Sequence, residues 1–353
     1  MSGDLDGWIV DGLAAAAAEL PGGLADDVEQ IHGSGGGTFS STVLRARSGD
    51  RPVVVKLVRR NDVPADHLFS WRRELDAHRT GWLADRLPEG LALAPCLATT
   101  TTDEAAVLVL DRIDFDDVGA RTEDWYHEFA RRLARLSATP VDDPPDWASH
   151  HFIEEELRLT VEAAPGLMRS PAVAIAEMVS IWSPAYEALL AAPDLPLRRL
   201  AAVPVGFQHL DAFSRNAADL GGPIALIDWA YAGFAPLGAD AAAMVVINAL
   251  YGDAEPARVP ELRHAVVDGY LAGVRDSGVT LDADVLAEAI DTLCVLRWLR
   301  FLTQVNEAGP EISGVASSIA GHAFEHLVRE WEALTALFLP RSEELLSERR
   351  GGG

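Results

Sequence analysis

The sequence predicts an α+β fold in two parts, a small β-rich N-terminal lobe and a large helical C-terminal lobe. Three observations carry that prediction. β-Branched runs and glycine turns are concentrated before residue 111, whereas long stretches with helical spacing dominate from Asp124 onward. At 353 residues, 49% of them hydrophobic and 24% charged, the chain is globular in composition and long for one compact core. The resulting division is 1–110, a connecting stretch at 111–116, and 117–353.

The elements follow in order. Residues 4–20 read as a short amphipathic helix closed by Pro21-Gly22-Gly23. Val28–His32 and Ser41–Arg47 form a hairpin around the glycine-rich stretch 33–38, and a Ser48-Gly49-Asp50 turn leads into a third strand, Pro52–Val58. Residues 66–87 are predicted as a helix with Leu68, Trp71, Leu75 and His78 on one face, and Ala105–Leu110 as another strand. Helices are then expected at 125–137, 151–163, 172–192, 240–251, 258–276, 283–303 and 315–337. A strand-and-turn segment interrupts them at about 203–236, and the tail from Arg349 is expected to fray.

Composition removes several classes of function. A net charge of −25 argues against nucleic acid or an anionic membrane as a partner, and it is compatible with a cationic small substrate. The N-terminus lacks the basic start of a secretory signal, and the most apolar stretch, Ala239–Leu250, is too short to span a bilayer. Cys96 and Cys294 have no metal-type spacing, so a reducing cytoplasm is the expected location.

Of the 29 basic residues only Lys56 is a lysine. It ends the run Val53-Val54-Val55, which reads as a buried strand, where an ammonium must be paired or solvated. A compact charge on a flexible stem suits contact with phosphate oxygens in a way that the planar guanidinium fork does not. Upstream, Gly35-Gly36-Gly37-Thr38 and Ser40 form a loop whose backbone amides can approach an anion closely. It is neither a Walker A loop nor the dinucleotide fingerprint. Downstream, Glu74 stands on the predicted helix, where a carboxylate can hold a strand lysine toward a phosphate. Further on, Gln208-His209-Leu210-Asp211-Ala212-Phe213-Ser214-Arg215-Asn216 and Ile227-Asp228-Trp229 place Asp211, Asn216 and Asp228 in apolar, turn-like surroundings. Oxygen donors of this kind hold Mg²⁺ loosely and leave one carboxylate to take a proton from an attacking hydroxyl.

Together these motifs resemble the aminoglycoside phosphotransferase family, a branch of the protein-kinase-like fold that phosphorylates small molecules. The family segment His-x-Asp-x-x-x-x-Asn is matched by His209, Asp211 and Asn216. Ile227-Asp228-Trp229, followed by Asp240, matches its metal segment. The resemblance covers about residues 28–250 and includes the Leu-Ala-Arg-Leu helix at 133–136. It implies Asp211 as catalytic base, Asn216 and Asp228 as Mg²⁺ ligands, and Lys56, steadied by Glu74, on the nucleotide phosphates. The loop at Gly35–Ser40 would cover those phosphates. The adenine of ATP, or the guanine if the nucleotide is GTP, would lie against backbone at Asp111 and Ile113.

Leu210 stands where the family often has Gly, and Phe213 where it often has a second His, which removes a polar group; Arg215 either compensates or points to solvent. His150-His151 and Glu154-Glu155-Glu156 read mainly as solvated or capping residues, the glutamates with a secondary potential for cation binding. Arg297, Trp298 and Arg300 read as packing in the helical part. The leading expectation is an ATP- and Mg²⁺-dependent kinase of a small-molecule hydroxyl, such as an aminoglycoside or other antibiotic. The alternatives are a catalytically silent nucleotide-binding protein and a kinase of an amino-alcohol or sugar. A protein-serine kinase is disfavoured, because Asp228 is followed by Trp229 and not by Phe-Gly.

Overall fold

The computed structural model describes residues 6–25, 27–33, 41–115, 118–169, 183–308, 317 and 321–351. The expected phosphate loop at Gly35, Gly36, Gly37, Thr38 and Ser40 lies outside the described residues, as does most of the helix expected at 172–192. In chain order the elements begin α1 (Gly7–Glu19), β1 (Glu29–Gly33), β2 (Ser41–Ser48), β3 (Arg51–Arg59), α2 (Arg73–Arg79), β4 (Leu91–Leu93), β5 (Cys96–Thr101) and β6 (Ala105–Asp111). They continue with α3 (Glu123–Ser137), α4 (Phe152–Arg169), α5 (Pro184–Leu190), α6 (Asp194–Leu200), β7 (Val205–Gln208), β8 (Ala217–Asp219), β9 (Ile224–Leu226) and β10 (Gly233–Pro236). The last are α7 (Ala239–Leu250), α8 (Val259–Asp276), α9 (Ala283–Ala308) and α10 (Phe324–Gly351). The chain is α+β, with its antiparallel sheet near the N-terminus and helices dominating thereafter.

Two compact units are present. The first comprises residues 1–116, 142–150 and 216–233, and the second comprises 117–141, 151–215 and 234–353.

The first unit is built on a five-stranded sheet in the order β1-β2-β3-β6-β5, antiparallel throughout. Side chains alternate between its faces. Val53, Val55 and Leu57 of β3, with Val107 and Val109 of β6, join Ile9 and Ala16 of α1 in one apolar cluster. Val58, Ala106, Leu108 and Leu110 face the other way and meet Leu75 of α2. Lys56 is in register with Val43 and Leu108, so the same alternation sends it to the α2 face. The β2–β3 hairpin turns at Gly49, whose φ of +58° is the left-handed region that a two-residue turn favours.

The helix expected over 66–87 is much shorter, only Arg73–Arg79. The carbonyls of Ala65, His67 and Leu68 accept hydrogen bonds from the Arg73 guanidinium, which draws residues 65–68 into a turn around that side chain. Gly81, at φ +72°, ends the helix on the other side. Strands β4 and β5 fall outside the predicted set; Pro95 separates them and leaves each too short to show a period. β4 pairs in parallel with β9, which pairs antiparallel with β8 in a three-stranded sheet of the same unit.

In the second unit the helices predicted at 125–137, 151–163, 240–251, 258–276 and 283–303 fall close to their places, whereas α6 lies outside the predicted set and the helix expected at 315–337 is observed as Phe324–Gly351. Thr122 caps α3, accepting from the Trp125 amide at 3.3 Å. α3 lies so close against α8 that a Cβ on Gly269 would stand 2.1 Å from the His127 carbonyl, and one on Gly273 equally near that of Arg131. The C-terminal helix continues to Gly351 past Pro340, further than the fraying tail expected from the sequence. Among the described residues no helix is long and apolar enough to cross a membrane.

Candidate functional site

In the first unit Lys56 Nζ lies 2.6 Å from Glu74 Oε2 and 2.7 Å from Asp228 Oδ1. Lys56 is 7% exposed and Glu74 3%, whereas the Asp228 side chain keeps 40% of its surface. Burial alone would lower the lysine pKa, but the charges of Asp228 and Glu74 overturn that and leave it raised, so the ammonium form is held. Burial pushes Glu74 up, opposed chiefly by the Lys56 charge.

Asp228 follows β9, and Asn216 precedes β8. The Ala217–Leu226 pair of the hairpin is extended by the Ile227 amide, which donates to the Asn216 carbonyl at 3.0 Å. This one β-ladder sets Asn216 across from the residue that precedes Asp228. Asp228 has φ +60° and ψ +65°. Among the described residues only it and Leu210 are non-glycine residues with positive φ. Such backbone strain persists where the surroundings over-determine it and is concentrated at functional positions. Lys56, Glu74, Asp228, Ser70, Trp71 and Tyr231 line a small pocket. The Ser70 hydroxyl, 2% exposed, has no hydrogen-bond partner among the described residues.

Asp111 and Ile113 lie at and just beyond the end of β6. The Asp111 amide donates to Pro95 O at 2.8 Å and the Arg112 amide to Pro52 O at 3.3 Å. The Asp111 carboxylate holds Arg51 in a two-pronged pair at 3.0 and 2.8 Å. What Asp111 offers a ligand is therefore its carbonyl and not its amide.

Asp211 belongs to the second unit, on the turn after β7. The buried Asp240 carboxylate accepts from the Leu210 amide at 2.6 Å and the His209 amide at 3.2 Å. The Asp211 amide donates to His209 Nδ1 at 3.2 Å. From the other side, Arg297 Nη2 donates to the Leu210 carbonyl. Arg297 is itself 3.3 Å from the buried Glu156 carboxylate and lies over the Phe152 ring. Leu210, fully buried at φ +66°, is thus gripped at its amide, its carbonyl and its side chain. Burial raises the Asp240 pKa to about 6 against the pull of the two amides.

Asp240→Asn keeps the shape but turns one acceptor oxygen into a donor facing a backbone amide. It should cost about 1–3 kcal/mol, read as a lower midpoint in denaturant unfolding.

Several sequence readings change here. Arg297 is not merely packing, since it holds the Leu210 carbonyl, and Glu156 is buried with it while Glu154 is exposed. Neither role has a local signal, because both partners are remote along the chain. Arg215 neither compensates for Phe213 nor points to solvent: it pairs with Asp253 at 2.7–3.1 Å and stacks on Tyr251. Phe213 packs with Ala243, Ile247 and Tyr251. Among the described residues no group of three or more His, Cys, Asp or Glu side chains is placed to hold a metal ion.

A sheet lysine clasped by a helix carboxylate, followed by a large helical part, is the architecture of protein-kinase-like enzymes. The chain belongs to the phosphotransferase enzyme family (APH), whose model matches residues 32–278, and it is a phosphotransferase by that membership. No curated protein matches it.

Solved structures share the fold at low identity. An amicoumacin kinase in complex with AMP-PNP, Ca²⁺ and Ami superposes with a TM-score of 0.60 at 14% identity, covering 93% of each chain. A choline kinase from Cryptosporidium parvum gives 0.56 at 14% identity, over 96% of this chain and 97% of the other. An aminoglycoside phosphotransferase from Alicyclobacillus acidocaldarius gives 0.50 at 15% identity, over 91% and 94%.

Proposed function

We propose that the protein transfers the γ-phosphoryl group of ATP to a hydroxyl of a small molecule, with Mg²⁺. The observation that carries this reading is the Lys56 ammonium held between Glu74 and Asp228 at 2.6 and 2.7 Å. Phosphoryl transfer needs positioning and charge neutralisation more than covalent chemistry, and a fixed ammonium beside an oxygen-donor pair supplies both.

The donor set suits Mg²⁺, which binds through one or two protein oxygens and completes its shell with phosphate and water. Asp228, part exposed, and Asn216 across the hairpin would hold it, and a bound ion would supply neutralisation of charge on the transferred phosphoryl group. Lys56 would leave Asp228 for the phosphate oxygens while Glu74 keeps its stem in place. The Asp111 carbonyl and the Ile113 amide offer one acceptor and one donor to the edge of adenine. Asp211, its backbone fixed through Asp240 and His209, would receive the hydroxyl proton of the acceptor.

The structural relative solved with a nucleotide analogue and Ca²⁺ supports nucleotide and divalent-metal use. Relatives named for amicoumacin, choline and aminoglycosides supply the acceptor classes to test, and the net charge of −25 favours a cationic one. Antibiotic inactivation is the first role to test.

The test is ATP turnover with Mg²⁺ across aminoglycosides, nucleoside antibiotics, choline, ethanolamine and sugars, with product mass as readout. A gain of one phosphate on one acceptor class is the expected result. Tight nucleotide binding with no product from any acceptor would favour the silent nucleotide-binding alternative, for which the presence of Phe213 speaks.

A further inference from the structure

We propose that Arg73 is a positioning residue that ties the Glu74 helix and the Asp228 turn into one frame. The inference rests on the reading of Lys56, Glu74 and Asp228 as nucleotide and metal contacts. Arg73 is fully buried at the start of α2, immediately before Glu74. Its guanidinium donates to five backbone carbonyls: Leu68 at 2.8 Å, Ala230 at 2.9 Å, His67 at 2.7 Å, Trp147 at 3.2 Å and Ala65 at 3.5 Å. These belong to three separate stretches of chain, all in the first unit. Ala230 is two residues beyond Asp228, so one rigid fork fixes the turn that carries the strained aspartate and the helix that carries its glutamate neighbour.

The third stretch backs the same turn. The Ser149 amide donates to Ala232 O at 3.3 Å, and a Cβ on Gly233 would stand 2.4 Å from the Ser149 carbonyl. Residues 147–149 are thus seated directly against 232–233, and Arg73 bonds to Trp147 of the one stretch and to Ala230, just before the other. A lysine cannot replace this fork, because an ammonium has three donors radiating from one point and cannot span carbonyls of five residues. The buried charge is met by carbonyl dipoles, and their convergence over-determines the backbone that Asp228 needs.

Binding of Mg²⁺·AMP-PNP to the full-length protein, measured by titration calorimetry, tests the role without depending on turnover. Arg73→Lys and Arg73→Gln should weaken binding by about 10- to 100-fold, the range for residues that support a metal contact. The loss should be smaller for AMP-PNP in EDTA. Leu44→Ala, which removes a buried side chain from the α1 side of the sheet, controls for general destabilisation and should bind as wild type does. Arg73 variants that fold and bind like Leu44→Ala would overturn the positioning role.

If neither Arg73 variant folds, hydrogen exchange on the wild type decides. Mg²⁺·AMP-PNP should slow exchange at 65–68 and 145–149 together with 227–232, and protection confined to 227–232 would overturn the coupling. A wild type that binds no Mg²⁺·AMP-PNP at all would instead remove the nucleotide reading, and the proposal with it.

Discussion

Asp211→Ala should lower product formation by about 10²–10⁴-fold, the usual contribution of a positioned general base. The loss should appear in kcat, with the KM for ATP little changed, because the proposed phosphate and metal contacts are other residues. The loop backbone is held by Asp240 and Arg297 through Leu210 and His209, so the fold should survive the substitution. Asp211→Asn gives a sharper version, since it keeps the volume and removes only the proton acceptor. Equal turnover in wild type and either variant would take the base role from Asp211.

Lys56→Arg is expected to cut kcat/KM for ATP by about 10²–10³-fold although the charge is kept. The two carboxylate oxygens stand 2.6 and 2.7 Å from a single nitrogen in a space with 7% residual exposure. A planar fork placed there would bind Glu74 with two prongs and hold the charge off the phosphates. Lys56→Met is a poorer test, because it strands the buried Glu74 carboxylate, and removing one partner of a buried pair costs about 3–5 kcal/mol. Steady-state kinetics alongside a melting curve separate the two effects. A Lys56→Arg protein that melts lower yet keeps its kcat/KM would contradict the phosphate role.

Much of the first unit was legible because its signals are local. The β-branched run that ends at Lys56 reads as a buried strand, and β3 is there with Val53, Val55 and Leu57 in the core. The long helices of the second unit announce themselves by repeated apolar spacing. The helix at 66–87 misled, since a 3.6-residue period cannot report that a buried guanidinium takes the carbonyls of the preceding turn. Strands β4 and β5 escape a sequence reading because three and six residues around a proline carry too little pattern.

The departure at Leu210 has a physical reason that only the fold reveals. A side chain at φ +66° costs about 1–2 kcal/mol relative to glycine. Complete burial of a leucine returns more than that, about 2–5 kcal/mol by comparison with truncation of such residues. Arg297, 87 residues further along, then fixes the carbonyl. No reading of the Gln208–Asn216 stretch alone could have found that partner.

An ε-amine that occurs once and sits between two carboxylates makes acylation chemistry a one-site reporter. The neutral nitrogen is the form that attacks an acylating reagent and displaces its leaving group, and the raised pKa keeps that form scarce. Mass added to the intact chain, beyond that on its amino end, therefore counts how often the clasp lets its ammonium go, with no second lysine to confuse the tally.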